Sequence, residues 1–366
     1  MKIKPISILI LLTVILISGC LSQNIQKSKT SRPEVKNIIL FIGDGMGTAH
    51  VYAGMTVSEK PLAMESFPFS GFSKTYSSDN YITDSGAGGT AIACGVKTRN
   101  GMIGMGPDSV AVTSIIEIAH KNGLATGVLS TSSVTHATPA SFVAHNSGRG
   151  NYEDIAKDFM NGTVDVFIGG GEDHFRKRAD GIDLTLKLKD QGYDVVYNME
   201  DLKNSGSLKI AGLLAKGQME EASKGRSGML AGMTGKAIET LSRDKDGFFM
   251  MVEGSMIDWG AHAKNLDYTA SEVIDMDDAV RVALEFAARD GKTLVVVTAD
   301  HETGGLTLVD GSIQERKTVA NFIPSGSHTA VMVPIFSYGP SAEVFSGIHD
   351  NTFFLNEFLN LLNINK

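Results

Sequence analysis

Six short apolar runs, each followed within a few residues by a carboxylate, an imidazole or a hydroxyl, constrain this chain more than any other feature. They cover 37–42, 124–130, 164–168, 248–252, 292–298 and 331–338, and each is apolar throughout or nearly so. Such runs suit strands buried on both faces, since a half-exposed strand would alternate with polar residues. Between them, residues 109–122, 150–160, 180–191, 231–243, 267–289 and 351–363 place apolar side chains at helical spacing. This alternation predicts an α/β fold: a largely parallel central sheet with helices on both faces, a three-layer sandwich. No internal repeat interrupts it. The weakly periodic stretch 198–228 and the polar stretch 310–327 read as surface elaborations of a single domain spanning 36–366.

Composition fits a folded protein of this kind, with 42% hydrophobic and 20% charged residues among 366. The 33 basic residues against 41 acidic ones leave a net charge of -8. No stretch combines basic residues with aromatics as a nucleic-acid groove requires, so a nucleic-acid partner is not expected. The N-terminus carries Lys2 and Lys4, an apolar run from about Ile6 to Ile17, and then Ser18-Gly19-Cys20. This describes an export signal over 1–19, too short to span a bilayer comfortably. Its ending resembles a bacterial lipobox, which implies acylation of Cys20, a lipid anchor and a periplasmic or cell-surface location. Residues 20–35 then form a flexible tether. Cys94, the other cysteine, is left without a disulfide partner.

In open parallel sheets ligands gather beyond the carboxyl ends of the strands. Those ends here deliver Asp44 between glycines, Thr135-His136-Ala137-Thr138, Glu253 through Asp258, Asp300-His301, and His328 in a Gly/Ser loop. Asp258 and His262, four apart, share one face of a helical turn and suit either a metal ion or a surface ion pair. With Asp300, His301, His328 and Asp44 they supply the N and O donors of two catalytic zinc sites with an open position. His50, His120, His145, His174 and His349 lack acidic company at metal spacing and read as structural or surface groups. Ser85, followed by small residues, suits a helix start whose backbone N–H groups meet an anion. Asp84 or Ser85 acting as N-cap explains the same residues. No Gly-x-Ser-x-Gly elbow surrounds Ser85, so metal coordination is the available way to activate its hydroxyl.

Together these segments resemble the alkaline phosphatases: residues 42–47, Thr83-Asp84-Ser85, Gly95-Val96-Lys97-Thr98, 136–140 with 143–145, 253–258, 298–301 and 326–329, in family order. The resemblance implies hydrolysis of phosphate monoesters through a phosphoserine at Ser85, with activity rising into alkaline pH. It implies one zinc on Asp258, His262 and His328, a second on Asp44, Asp300 and His301, and a magnesium on Asp44, Thr138 and Glu253. Arg149 falls where the family binds phosphate, and the Ser85 N–H would join it. His136 and Trp259, at positions that vary within the family, would flank the metals along with Asp84. Two other readings remain: a phosphodiesterase of the same superfamily, and an inert phosphate- or metal-binding lipoprotein. Ser85-Gly86-Ala87 lacks the Cys/Ser-x-Pro-x-Arg pattern of sulfatases, and Thr138 with Glu253 favours the monoesterase over diesterases, which commonly use Thr and lack the magnesium site. A homodimer is left open.

Overall fold

The computed structural model describes residues 34–366. The signal segment at 1–19, Cys20 and nearly all of the tether lie outside the described residues. The strands are β1 (Asn37–Gly43), β2 (Phe69–Lys74), β3 (Ala125–Ser133), β4 (Val166–Gly170), β5 (Asp194–Val196), β6 (Ile210–Ala215), β7 (Phe248–Gly254), β8 (Thr293–Thr298), β9 (Glu302–Thr303), β10 (Thr307–Ser312), β11 (Lys317–Asn321), β12 (His328–Thr329), β13 (Val333–Tyr338) and β14 (Gly347–Asp350). Ten of them form one sheet in the order β14-β2-β13-β8-β1-β7-β3-β4-β6-β5. The seven from β8 to β5 run parallel, and β13 is antiparallel to both β8 and β2.

β1 shows why the apolar runs are continuous. Its Ile38, Leu40 and Ile42 pack into one core layer with Ile92, Ile115 and Phe358. Ile39 and Phe41 point the other way, into a layer with Met250, Val273, Met276 and Val280. Both faces are covered, so alternation with polar residues is not available, and each such side chain contributes about 1.5–3 kcal/mol on burial. The helix Leu266–Asp290 closes the second layer against helices Met229–Leu241 and Thr48–Val57.

Each predicted helix is present, most of them shorter than the periodic stretch that announced it. The stretch 109–122 holds helix Ile115–Lys121, which starts where Ser114 and Glu117 form a reciprocal capping box. The stretch 310–327 contains part of the exposed β10–β11 hairpin, a surface elaboration as expected. The reading of 198–228 needs correction, because β6 lies inside it and sits in the central sheet between β4 and β5. Its Ile-Ala-Gly-Leu-Leu-Ala run is apolar but rich in Ala and Gly, residues of low strand propensity, and Ser- and Gly-containing turns flank it. No helix among the described residues is long and apolar enough to cross a membrane.

Candidate active site

The parallel register brings the carboxyl ends of β1, β7, β3 and β8 to one edge of the sheet, with Ile42 beside Glu253 and Thr298. Asp44 leaves β1 in a turn whose next residue, Gly45, has φ +70°, and a Cβ there would lie 2.6 Å from Thr303 Oγ1. Only glycine fits both the left-handed backbone and the close approach. The short helix Met256–His262 presents Asp258 and His262, while β12 presents His328. Ser85 is the first residue of helix Ser85–Cys94, with Asp84 as N-cap accepting from Ala87 N at 2.9 Å. The capping reading of this segment is thus met by Asp84, not Ser85. Gly88, one turn on, lets the helix start approach Asp300, whose carbonyl would lie 2.9 Å from any Cβ at that position.

Three groups of potential ligand atoms result, each within 4.8 Å: Asp258, His262 and His328; Asp44, Asp258 and His301; Asp44, His136 and Glu253. In the first, His262 Nδ1 donates to Gly326 O at 2.7 Å and His328 Nδ1 to Thr83 O at 2.9 Å. A carbonyl only accepts, so both protons reside on Nδ1 and both Nε2 lone pairs face inward, 3.2 Å apart. Asp258 Oδ1 lies 3.3 and 3.6 Å from these nitrogens. Three electron-rich atoms this close repel one another unless a cation sits among them. In the second group His301 Nε2 is 3.4 Å from Asp44 Oδ1, 3.4 Å from Asp300 Oδ2 and 3.1 Å from Ser85 Oγ. Asp300 is thus in place beside His301, and Asp258 reaches both groups.

In the third group His136, expected beside the metals, lies within ligand reach of Asp44 and Glu253. Its Nδ1, Asp44 Oδ1 and Glu253 Oε1 are buried without hydrogen-bond partners. Thr138 Oγ1 is 3.5 Å from both Asp44 Oδ2 and Asp300 Oδ2. Trp259 meets the His136 ring edge-on at 6.2 Å. Unpartnered buried acceptors carry a substantial desolvation cost, which a bound cation would remove.

The electrostatics agree. Burial, with the neighbouring carboxylates, raises Asp44 well above the usual carboxylate range and Asp300 to about 7. Burial also raises Glu253, against hydrogen bonds from Ser130 and Ser255. It holds His301 well below its ordinary value, with His328 and Arg149 adding to the effect, and lowers His136 to about 3. Four carboxylates in one buried cluster demand positive charge. Arg149 supplies some, but its NH1 is paired with Asp84 Oδ2 at 2.9 Å.

Sequence reading missed several supporting groups. Ser130 Oγ donates to Glu253 Oε2 at 2.5 Å and Thr303 Oγ1 to Asp258 Oδ1 at 2.5 Å. Thr303 lies two residues after His301, in the short strand β9, and that adjacency was the available signal. The five other histidines stay outside the cluster. His50 is buried and accepts from Gly47 N, His145 pairs with Glu117 at 3.1 Å, His174 stacks on Tyr152, His349 stacks on Phe353, and His120 is exposed. Cys94 is a buried free thiol.

The sequence model of the alkaline phosphatase family matches residues 35–322. Alkaline phosphatase 4 of Bacillus subtilis is 38% identical over 327 residues, 84% of this chain and 70% of its own. The solved alkaline phosphatase of the Antarctic bacterium TAB5 is 41% identical, with a TM-score of 0.86 over 91% of this chain and all of its own. A histidine-to-aspartate variant of that enzyme is described with Mg bound in its M3 site. With the strand-end cluster of carboxylates, imidazoles and one serine, these similarities establish that the chain belongs to the alkaline phosphatase family, metal-dependent enzymes that hydrolyse phosphate monoesters.

Proposed function

We propose that Ser85 is the nucleophile of this phosphomonoesterase and that the three ligand groups hold two zinc ions and one magnesium. The observation that carries the reading is the position of Ser85 Oγ, 3.1 Å from His301 Nε2 and at the edge of the buried acidic cluster. One zinc fits Asp258, His262 and His328, a second fits Asp44, Asp300 and His301, and magnesium fits Asp44, Thr138 and Glu253. When bound, these cations would polarise phosphate oxygens and lower the pKa of the hydroxyl groups beside them.

The chain's own residues supply the rest. Ser85 gives up its proton to solvent and its Oγ bonds to phosphorus as the bond to the alcohol oxygen breaks; the alcohol takes a proton from water. A water molecule then gives up a proton to solvent and its oxygen bonds to phosphorus, the Oγ–P bond breaks, Ser85 Oγ regains a proton, and phosphate leaves. Arg149 offers a planar fork to two phosphate oxygens, and Asp84 orients that fork from its NH1 side. The Ser85 N–H, at a helix start, faces the same anion. Trp259 packs edge-on against His136, which lies within ligand reach of the third metal group.

For the N-terminus we read export and acylation of Cys20, supported by the Lys-rich start, the apolar run and the Ile-Ser-Gly-Cys ending. Labelling with a radioactive fatty acid, lost in Cys20→Ala, tests that reading.

The function is tested by metal analysis of the purified protein alongside turnover of an aryl phosphate monoester and the matching diester. Two zincs and one magnesium, chelator-sensitive monoester hydrolysis and loss of at least about 10^3-fold in Ser85→Ala are expected. Unchanged turnover in Ser85→Ala would return the inert-binder reading, and preference for the diester would overturn the substrate assignment.

A further inference from the structure

Thr303 is fully buried and touches more of the site than any assigned ligand accounts for. Its Oγ1 lies 2.5 Å from Asp258 Oδ1 and 3.2 Å from His301 Nδ1. A hydroxyl has one proton to give, and a carboxylate can only accept, so the proton goes to Asp258. The same oxygen then accepts from His301, whose proton must sit on Nδ1. The Nε2 lone pair is thereby directed at Asp44, Asp300 and Ser85. One hydroxyl thus sets a carboxylate of the first ligand group and the tautomer of the histidine in the second.

The backbone explains why this hydroxyl stays where it is. Thr303 N donates to Gly45 O at 3.0 Å, and Thr303 pairs with His328 across the β9–β12 bridge. Glu302, the residue before it, is tied to Leu306 N and Gly305 N and to the Thr329 hydroxyl. Three strand-end segments therefore converge on one side chain: the Asp44 turn, the loop carrying Asp300 and His301, and the strand carrying His328.

We propose that Thr303 is the positioning residue that couples the two zinc sites, so that losing its hydroxyl weakens metal binding at both. The proposal rests on the metal reading given above. Hydrogen bonds from neighbouring groups to metal ligands are worth about 10- to 100-fold in metal affinity.

Two substitutions separate the hydroxyl from the packing. Thr303→Val keeps the shape and removes the hydroxyl, whereas Thr303→Ser keeps the hydroxyl and removes the methyl. Zinc retention against a competing chelator is measured for each, with metal-free melting temperatures taken first; Thr303→Ala replaces the Val variant if that one does not fold. The expected result is a loss of about 10- to 100-fold in affinity for both zincs in Val and near wild-type retention in Ser. Equal loss in Ser and Val, greater loss in Ser, loss of only one zinc, or no loss in Val would each overturn the proposal. Nitrogen-15 NMR of the His301 ring in metal-free protein gives an independent readout: a proton on Nδ1 in wild type and Ser, and a mixture of tautomers in Val. A wild-type protein that retains no zinc would defeat the metal reading of the site, and the ring tautomer would then decide the role of Thr303 separately.

Discussion

The Nε2 atoms of His262 and His328 face each other at 3.2 Å while both Nδ1 atoms donate to backbone carbonyls. Two lone pairs beside the Asp258 carboxylate are an arrangement that a bound cation relieves. In His262→Ala the metal-free protein should therefore lose little, at most the roughly 1 kcal/mol of one hydrogen bond to Gly326. The zinc-dependent gain from this one site should nearly vanish, while that of the second zinc site remains. For wild type the gain from one site is about 4 kcal/mol at a free zinc concentration a thousandfold above the dissociation constant. Chemical unfolding with and without zinc measures both, and a variant that kept the full zinc-dependent gain would contradict the placement of this site.

Arg149 and Asp84 form the next testable pair. Lysine can replace the charge of Arg149 but not its two-pronged geometry. Arg149→Lys should weaken inhibition by inorganic phosphate about tenfold, or about 1.4 kcal/mol. Asp84 holds Arg149 and caps the helix of Ser85, so Asp84→Ala should also cost about 1 kcal/mol of stability, while Asp84→Asn keeps most of the cap. Phosphate inhibition constants and urea unfolding of the three variants check this, and equal stability of the Ala and Asn forms would count against the cap.

Most of this site was legible because its groups sit directly after apolar runs. Asp44 and Asp300-His301 follow β1 and β8, Glu253 ends the apolar run of β7, and the parallel register carries them to one edge. Which histidine joins which aspartate was not legible, since it depends on crossovers between strands distant in sequence. β6 escaped notice because its apolar run is built largely of Ala and Gly, which carry little strand preference, and its place comes from pairing with β4 and β5. Thr303 and Ser130, in β9 and β3, escaped because a single hydroxyl carries no spacing signal of its own. Their roles come from the atoms they meet, at 2.5 Å from Asp258 and Glu253 respectively.

His145 supplies a pH-dependent contribution away from the metals. Its pKa is raised to about 8, first by its hydrogen bond to Glu117, with burial opposing. A histidine whose folded pKa exceeds its unfolded value of about 6.5 contributes stability that is fully present below 6.5 and is lost as pH rises through 8. Wild type should therefore exceed Glu117→Gln in stability by on the order of 1 kcal/mol near pH 6, and the difference should shrink by pH 9. Gln can still accept from Ser114 N, which limits the effect on the capping box. Melting temperatures of both proteins across that range test the sign, and a difference that grew with pH would refute it.

His136 makes the third metal group mixed in donor type. Magnesium favours six oxygen ligands in a tight octahedron, whereas an imidazole nitrogen suits zinc. Within ligand reach of Asp44 and Glu253, and held neutral by burial, His136 offers a nitrogen where a hard cation prefers oxygen. His136→Asp should raise magnesium occupancy at a fixed magnesium concentration and reduce the ability of excess zinc to displace it. The new carboxylate adds a fourth charge donor beside Asp44, Glu253 and Asp300, so the metal-free variant should be less stable at neutral pH than wild type. Magnesium content after gel filtration, with unfolding in the presence of chelator, measures both effects. Unchanged magnesium content would mean that the ring at position 136 turns away from the ion, and that Thr138 and ordered water complete its shell.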